Sequence, residues 1–344
     1  MKKMKVAMYY NNKDVRIEEM PVPEISDNEL LVKVQASGIC GSDVMEWYRI
    51  KKAPLVLGHE ISGEITKAGK NIKDFKEGDR IFVTHHVPCN ECEYCKKGKH
   101  TICHTLHTTK FYPGGFAQYL RVPEINVKTG TFKLPDKISY DEGTFIEPLA
   151  CVVRGFRVSN YQSGQTVLVL GSGIAGLLNI KLAKAKGAKK IFATDITKSR
   201  LEIAKKMGAD FTINAKEDVP EQIKKHNGGK LANFVILCAG VPSAVKQALK
   251  SVAPGGTILF FAPTEPGVDV PFPLFHLWNE QVKMFSTYAG APDDIIDSID
   301  LLKNKELDVN DMISHKLPMD KTPEGFKLVA EAKDSIKVII EPQK

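Results

Sequence analysis

The segment from residue 166 to 200 restricts the fold more than any other part of the chain. An apolar run over Val167–Leu170 leads directly into a glycine-rich turn, and a helical pattern over Ile174–Lys186 follows. A strand, a G-x-G-x-x-G turn and a helix in this order are typical of a βαβ unit that binds a dinucleotide. The turn is Gly171-Ser172-Gly173-Ile174-Ala175-Gly176.

Strand-like and helix-like segments go on alternating after this turn. Apolar runs of the buried-strand type are separated by amphipathic stretches with helical spacing. This alternation predicts an α/β domain with a doubly wound parallel sheet. The segments are Lys190–Thr194, Phe234–Leu237 and Thr257–Phe261 for strands, and Lys198–Met207 and Ser243–Val252 for helices.

The glycine turn and the strand after it predict a dinucleotide site. Gly171 permits the tight turn, Gly173 lets the backbone approach a pyrophosphate, and Gly176 allows close packing of helix on strand. Asp195 lies nineteen residues past Gly176. Its carboxylate would accept hydrogen bonds from the ribose hydroxyls and repel a 2′-phosphate, which favours NAD over NADP. Arg200 could cover the adenine face or weaken this discrimination, and a glycine turn without any nucleotide is the alternative.

Residues 1–140 have a different character, with short β-branched segments interrupted by many prolines and glycines. Leu30–Val34, Ile61–Thr66 and Arg80–Thr84 are the clearest strands. Short strands that are interrupted so often by prolines and glycines predict a compact β-barrel or sandwich. A helix over 141–160 would cross between domains, and the chain ends in a strand at Ile336–Ile340.

The length of the chain indicates two domains. At 344 residues it exceeds the size at which a single core stops growing, roughly 250–300 residues. The change of pattern near Tyr140 and the return to mixed short elements after about Ala289 delimit the dinucleotide-binding part of the chain.

Four cysteines within fifteen residues predict a metal site. Cys89, Cys92, Cys95 and Cys103 have Cys-x2-Cys spacings that place two sulfurs on one ion, and four thiolates close a tetrahedral zinc shell. A closed shell leaves no position for a substrate, so this zinc would be structural. Disulfides and a nucleic-acid-binding zinc finger are the alternatives, but no helix with base-reading residues follows Cys103.

Composition excludes several classes of function. The net charge of +7 comes from scattered lysines rather than a basic stripe, so no nucleic-acid partner is predicted. No apolar run reaches the ~20 residues that span a bilayer, and the basic N-terminus continues into a strand pattern instead of a signal peptide. The sequence therefore predicts a cytoplasmic protein without a membrane partner.

Three further motifs carry candidate metal ligands. They are G-I-C-G-S-D over residues 38–43, G-H-E over residues 58–60 and E-P at residues 147–148. Each is weak by itself, but their order before the cysteine loop and the nucleotide fold is informative. The chain at this point resembles the zinc-containing medium-chain dehydrogenase/reductase superfamily over essentially its whole length.

The resemblance implies a GroES-like β-barrel catalytic domain of residues 1–152 and 290–344 and a Rossmann domain of residues 153–289. It also implies two zinc ions per chain and NAD. It implies that Cys40 and His59 bind a catalytic zinc. Many alcohol dehydrogenases supply a second cysteine as the third ligand, whereas Glu147 here resembles the sorbitol and threonine dehydrogenase branch. Cys151, four residues after Glu147, is the alternative ligand.

The resemblance also assigns roles to the neighbours of these ligands. Asp43 would orient the His59 imidazole, with a turn-capping role as the alternative, and Ser42 would relay the proton of the alcohol. Glu60 is ambiguous: it would either exchange with water or substrate during turnover or be a ligand in the resting enzyme. For His85 and His86, packing or surface roles are favoured over contact with a ligand.

The implied reaction is hydride transfer between NAD and a secondary alcohol or polyol, sorbitol-like or threonine-like. An L-threonine 3-dehydrogenase, a general secondary-alcohol dehydrogenase, a zinc-free reductase and a non-catalytic zinc- and nucleotide-binding scaffold are the alternatives. The resemblance further implies a homotetramer or a homodimer.

Overall fold

The computed structural model describes residues 2–333 and 335–344. The chain folds into two compact units. One unit contains residues 1–150 and 289–344, and the other contains residues 151–288.

Residues 151–288, all of which are described, form a six-stranded parallel sheet. In order of sequence the strands lie in the sheet as 3-2-1-4-5-6, so the chain reverses its direction of winding between the first and the fourth strand. Parallel strands joined through helices and buried on both faces need continuous apolar runs, and these strands have them. Across the sheet the strands are Phe211–Asn214, Lys190–Asp195, Thr166–Leu170, Ala232–Leu237, Val252–Phe260 and Lys283–Ser286.

Helices connect these strands and cover the sheet. Leu168, Val235 and Ile258 are fully buried in its core and pack against Ala248 of one of the helices. The helix Ile146–Val158 contains the boundary between the two units. The other helices are Ile174–Ala185, Lys198–Lys206, Val219–His226, Pro242–Ser251 and Leu274–Asn279.

The sequence patterns missed some of these elements. The strand Phe211–Asn214 is short and half-buried at the sheet edge, and the edge strand Lys283–Ser286 is mostly exposed, so neither has a clear periodicity. The predicted helix over 141–160 is two helices, Tyr140–Gly143 and Ile146–Val158. A capping box between Ser139 and Glu142 begins the first of these before the main helix starts.

The described part of the other unit is built on a seven-stranded mixed sheet and a three-stranded antiparallel sheet. The path of the large sheet runs from Ile313–Pro318 through Lys337–Glu341, Leu30–Gly38, Glu60–Ala68 and Arg80–Val83 to Thr131–Lys133, with Tyr119–Val122 also paired to Leu30–Gly38. Only the first pair is parallel. The small sheet contains Asp14–Pro21, Lys3–Asn11 and Leu55–Val56.

Short helices and two longer ones complete this unit. The longer ones, Pro292–Lys303 and Thr322–Glu331, were not predicted individually from the mixed pattern after residue 289. Nowhere in residues 2–333 and 335–344 is a helix long and apolar enough to cross a membrane. The short helices are Gly41–Val44, Glu46–Arg49, Ile50–Lys52, Glu93–Lys96, His100–Ile102, His104–Thr108, Glu124–Gly130, Tyr140–Gly143, Asn310–Met312 and Met319–Lys321.

Candidate active site and zinc sites

A tight turn after the strand Leu30–Gly38 holds the Cys40 thiol. Cys40 caps the short helix Gly41–Val44, and its backbone N–H donates to Asp43 Oδ2 at 3.1 Å. The Ser42 N–H in turn donates to Cys40 Sγ at 3.4 Å. This turn therefore fixes the position of the Cys40 sulfur.

Asp43 connects this turn to His59. Its side chain is fully buried, and Asp43 Oδ1 lies 3.4 Å from His59 Nδ1. Burial alone would lower the pKa of His59, but the Asp43 carboxylate and the Cys40 thiol outweigh it and raise that pKa well above its usual value. A carboxylate at Nδ1 fixes the ring so that Nε2 can bind a metal.

Arg49 is a member of this site that the sequence patterns did not reveal. Its Nε donates to the Ser42 carbonyl at 2.9 Å and its Nη2 donates to Ser42 Oγ at 3.0 Å. The same Nη2 lies 3.4 Å from Asp43 Oδ1. The Ser42 hydroxyl itself lies 3.3 Å from Cys40 Sγ. A single arginine in a short helix has no spacing that would identify it from the sequence.

Cys40, His59 and Glu60 converge on one point. One ligand atom from each lies within 4.8 Å of the others, which suits a metal ion. The Glu60 side chain is buried and forms an ion pair with the buried Lys337. Lys337 is the second residue of this site that the sequence patterns did not reveal.

Glu147 belongs to a neighbouring group with His85 and His86. Ligand atoms of these three residues also lie within 4.8 Å of one another. The His85 ring lies 4.8 Å from the His59 ring and 3.6 Å from the His86 ring, between ring centres. Burial lowers the pKa of His85 well below its usual value and that of His86 to about 3, so both rings are neutral.

The histidine pair thus lies beside the candidate metal ligands, although packing roles were favoured from the sequence. The sequence signal was the pair itself, directly after the strand Arg80–Val83. Among the described residues, the groups that could hold a metal include Glu147 and do not include Cys151. This grouping favours Glu147 over Cys151 as a ligand.

The four cysteines of the loop form a compact cluster. The sulfur–sulfur distances are 3.5 Å for Cys92–Cys95, 3.6 Å for Cys103–Cys89 and 3.9 Å for Cys89–Cys95. Four sulfurs at about 2.3 Å from a tetrahedral zinc lie about 3.8 Å apart, whereas a disulfide requires about 2.05 Å. All four cysteines are free thiols, and the cluster fits a structural zinc site.

Backbone donors favour the anionic form of two of these sulfurs, those of Cys89 and Cys103. The N–H groups of Glu91 and Cys92 donate to Cys89 Sγ at 3.5 and 3.3 Å. Burial raises the pKa of the Cys103 thiol, but N–H donors from Cys89 and Leu106 outweigh it and lower that pKa to about 6. The loop therefore lowers the pKa of two of its thiols, whereas burial raises the pKa of the Cys95 thiol to about 12.

The glycine turn in residues 151–288 has the geometry of a phosphate-binding turn. Gly171 has a φ of +97°, which other residues rarely adopt. A Cβ at Gly173 would meet nothing within 4 Å, so open space lies beside the helix N-terminus there. A Cβ at Gly176 would lie 1.9 Å from the Gly171 carbonyl oxygen, so only glycine permits this packing.

The strand after the turn ends in Asp195, which is tied back to the turn. Asp195 Oδ2 accepts a hydrogen bond from the Ser172 N–H at 3.0 Å, and Oδ1 accepts one from the Thr197 N–H at 2.9 Å. Arg200 is only 6% exposed, so its side chain lies mostly within the fold. Ile174 and Ala175 are half-buried in the first turn of the helix.

Comparisons with known proteins find similar dehydrogenases over nearly the whole chain. The family model of the zinc-binding dehydrogenase matches residues 175–304, and that of the alcohol dehydrogenase GroES-like domain matches residues 26–136. The sorbitol dehydrogenase of Bacillus subtilis (strain 168) is 32% identical, over 99% of this chain and 98% of that protein. The sorbitol dehydrogenase of Mus musculus is 32% identical, over 95% and 92%.

A solved structure gives the same result. A Sinorhizobium meliloti 1021 protein described as a zinc-binding dehydrogenase, with NADP bound, aligns with a TM-score of 0.88 at 28% identity, covering 99% of this chain and all of that one. The predicted family and α/β fold, with a GroES-like and a Rossmann domain, are thereby confirmed. This chain belongs to the zinc-dependent medium-chain dehydrogenases.

Proposed function

We propose that the chain is an NAD-dependent zinc dehydrogenase that transfers a hydride between a secondary alcohol and NAD. Within the secondary alcohols, we propose a polyol as the substrate. The observation that carries this proposal is the convergence of Cys40 and His59, with Asp43 at the remaining ring nitrogen of His59. Two relatives named sorbitol dehydrogenase support a polyol as the substrate.

Cys40, His59 and Glu147 would hold the catalytic zinc. When bound, zinc supplies a Lewis acid that lowers the pKa of an alcohol hydroxyl. One thiolate, one carboxylate and a neutral imidazole balance the charge of the dication and preserve its acidity. Asp43 keeps the His59 ring in the tautomer that binds through Nε2.

Ser42 would accept the proton that the alcohol loses. Its hydroxyl hydrogen is directed to Cys40 Sγ, and the Arg49 guanidinium donates to its oxygen. A guanidinium stays protonated and cannot take the proton onward. Arg49 therefore orients the Ser42 oxygen, and the proton must leave Ser42 towards water or the cofactor.

Gly171, Gly173 and Gly176 would position the pyrophosphate of NAD at the helix N-terminus. When bound, NAD accepts the hydride. Asp195 has a carboxylate fixed by two backbone donors, which suits two ribose hydroxyls and disfavours a 2′-phosphate.

The variant Asp195→Asn tests the choice of cofactor. Loss of the negative charge should reduce the preference for NAD over NADP by a factor of ~10–150, since a hydrogen bond to a charged group contributes about 1.5–3 kcal/mol. The ratio of kcat/KM values for the two cofactors measures it, with Asp210→Asn on the following strand connection as a control. An unchanged ratio of the kcat/KM values would show that Asp195 does not determine the choice of cofactor.

A panel of alcohols tests the function itself. Sorbitol, xylitol, butanediol and threonine, each with NAD and NADP, would be followed by the absorbance of the reduced nicotinamide, and metal analysis should give two zinc ions per chain. We expect the highest kcat/KM for a polyol with NAD. Threonine as the best substrate would indicate an L-threonine 3-dehydrogenase, and no turnover with any alcohol would indicate a scaffold.

We assign both zinc sites to the domain of residues 1–152 and 290–344, and NAD to residues 153–289.

We also propose a homotetramer or homodimer, because the helix Leu274–Asn279 exposes three large apolar side chains by 71–76%: Leu274, Phe275 and Trp278. Light scattering of Trp278→Glu would test this, since a lower mass than wild type is expected. The reduced thiols of the cysteine loop support a cytoplasmic location.

A further inference from the structure

Two neighbouring histidines lie beside the candidate catalytic ligands. His85 and His86 follow the strand Arg80–Val83, and the centres of their rings lie 3.6 Å apart. The buried side chain of Asn126 donates to the carbonyl oxygens of Thr84 at 2.9 Å and of His85 at 3.2 Å. These hydrogen bonds fix the backbone that carries the two rings, so the rings are held next to each other.

The His85 ring has a buried nitrogen that its packing does not satisfy. Its Nδ1 is buried and, within residues 2–333 and 335–344, has no hydrogen-bond partner. The ring lies 4.8 Å from the His59 ring and 6.2 Å from the Phe111 ring, between ring centres. Because buried polar atoms nearly always have a partner, this nitrogen indicates a role other than packing.

Glu147 completes a group of metal ligands with the two rings, the histidine set of His85, His86 and Glu147. Glu147 is buried, and one ligand atom from each of the three residues lies within 4.8 Å of the other two. Atoms bound to one zinc at about 2.1 Å lie about 3.4 Å apart, so these atoms need to approach one another by no more than ~1.4 Å. Two imidazoles and a carboxylate form a ligand set that zinc and similar divalent ions accept.

The histidine set is distinct from the group of Cys40, His59 and Glu60, with which it shares no residue. The catalytic zinc of the proposed function, however, needs Glu147 together with Cys40 and His59. Glu147 is therefore the residue that the catalytic zinc and an ion held by the two histidines would both require.

We propose that the histidine set is a second, inhibitory site for a divalent transition-metal ion, and that zinc bound there withdraws Glu147 from the catalytic zinc. This inference rests on the proposed function. With Glu147 withdrawn, only Cys40 and His59 remain of the three proposed ligands, and a second dication beside the catalytic zinc repels it. An excess of zinc therefore weakens the catalytic centre and lowers turnover.

Calorimetric titration of the zinc-loaded protein with Zn(II) tests the site directly. His85→Phe keeps an aromatic ring but removes the nitrogen ligands. His315→Phe is the matched control, because His315 is half-buried on the strand Ile313–Pro318 and belongs to none of the candidate metal groups among the described residues. We expect wild type and His315→Phe to bind one further ion per chain, and His85→Phe to bind none.

Turnover and the visible Co(II) spectrum test the effect on Glu147. Added Zn(II) should lower kcat about tenfold or more in wild type and His315→Phe, since the Lewis acid contributes a large part of the catalysis. Each rate is divided by the rate of the same variant without added zinc, and this ratio should stay unchanged in His85→Phe. With Co(II) at the removable metal site, Zn(II) should change the spectrum of wild type without release of cobalt, because the Co(II) ion loses a ligand.

Equal binding of the further ion by wild type and His85→Phe would overturn the proposal. An unchanged kcat, an unchanged Co(II) spectrum or a release of cobalt in wild type would do so as well. Should His85→Phe fail to fold, His86→Phe decides: loss of the further ion supports the site, and retained binding refutes it. Failure of the proposed function looks different, because wild type would then contain fewer than two zinc ions before the titration or oxidise no alcohol, while the titration would still report on the histidine set.

Discussion

The two candidate zinc sites of this protein are built in opposite ways. The cysteine loop offers four ligands from residues 89–103, all of them sulfur, and backbone N–H groups of the same loop donate to the sulfurs of Cys89 and Cys103. The proposed catalytic site would take Cys40, His59 and Glu147 from three separate segments, and charged side chains from other segments lie around Cys40 and His59. A closed, local site stabilises a loop, whereas a mixed, long-range site leaves a position that chemistry can use.

The largest effect that separates the two sites should come from Cys40→Ser. Loss of a ligand of the catalytic metal should lower kcat/KM about 10³-fold, since a Lewis acid contributes several kcal/mol to the barrier. Metal analysis should show one zinc per chain instead of two, with NAD binding unchanged by fluorescence titration. Cys151→Ser is the control and should keep both zinc ions; wild-type turnover in Cys40→Ser would refute the assignment.

Cys103→Ser should remove a ligand of the zinc in the cysteine loop. We expect this variant to lose folding free energy and to keep its kcat. Losing a structural metal is among the few single changes that cost about 4 kcal/mol or more of folding free energy. Denaturant unfolding should show this loss, and the folded fraction should keep its kcat. If kcat per folded molecule falls as strongly as in Cys40→Ser, the two sites are not functionally separate.

Asp43→Asn should give the smallest of these three effects. The amide keeps the shape of the side chain but removes the negative charge beside His59 Nδ1. Loss of such a partner of a ligand should weaken binding of the catalytic metal ~10–100-fold. Competition with a chromophoric chelator measures it, and the zinc of the cysteine loop serves as the internal control. An unchanged affinity would limit the role of Asp43 to its contacts with the Cys40 N–H and the Arg49 guanidinium.

Sequence patterns predicted the elements whose signals are local. The strand Thr166–Leu170 and the helix Ile174–Ala185 were predicted within one residue at each end, because a buried apolar run and a glycine turn mark them. The edge strands and the helices after residue 289 were missed. Exposed or half-buried elements of this kind are stabilised by their neighbours rather than by a periodic pattern of their own.

The same distinction applies to the candidate site. Cys40, His59 and Glu147 were predicted because the chain resembles a family in which short motifs carry the ligands. Arg49 was missed because its role depends on a turn folding back on Ser42. For His85 and His86, packing or surface roles were favoured, because nothing in the sequence places them next to Glu147.

By itself, the sequence determined the zinc loop, the glycine turn and the family, because these depend on residues that lie close together along the chain. Four thiolates within fifteen residues and three glycines within six need only local backbone geometry. Tertiary structure alone decided the environment of Glu60. Its partner Lys337 lies 277 residues away and reaches it over Gly38, since two sheet neighbours bring their side chains together where a glycine leaves space.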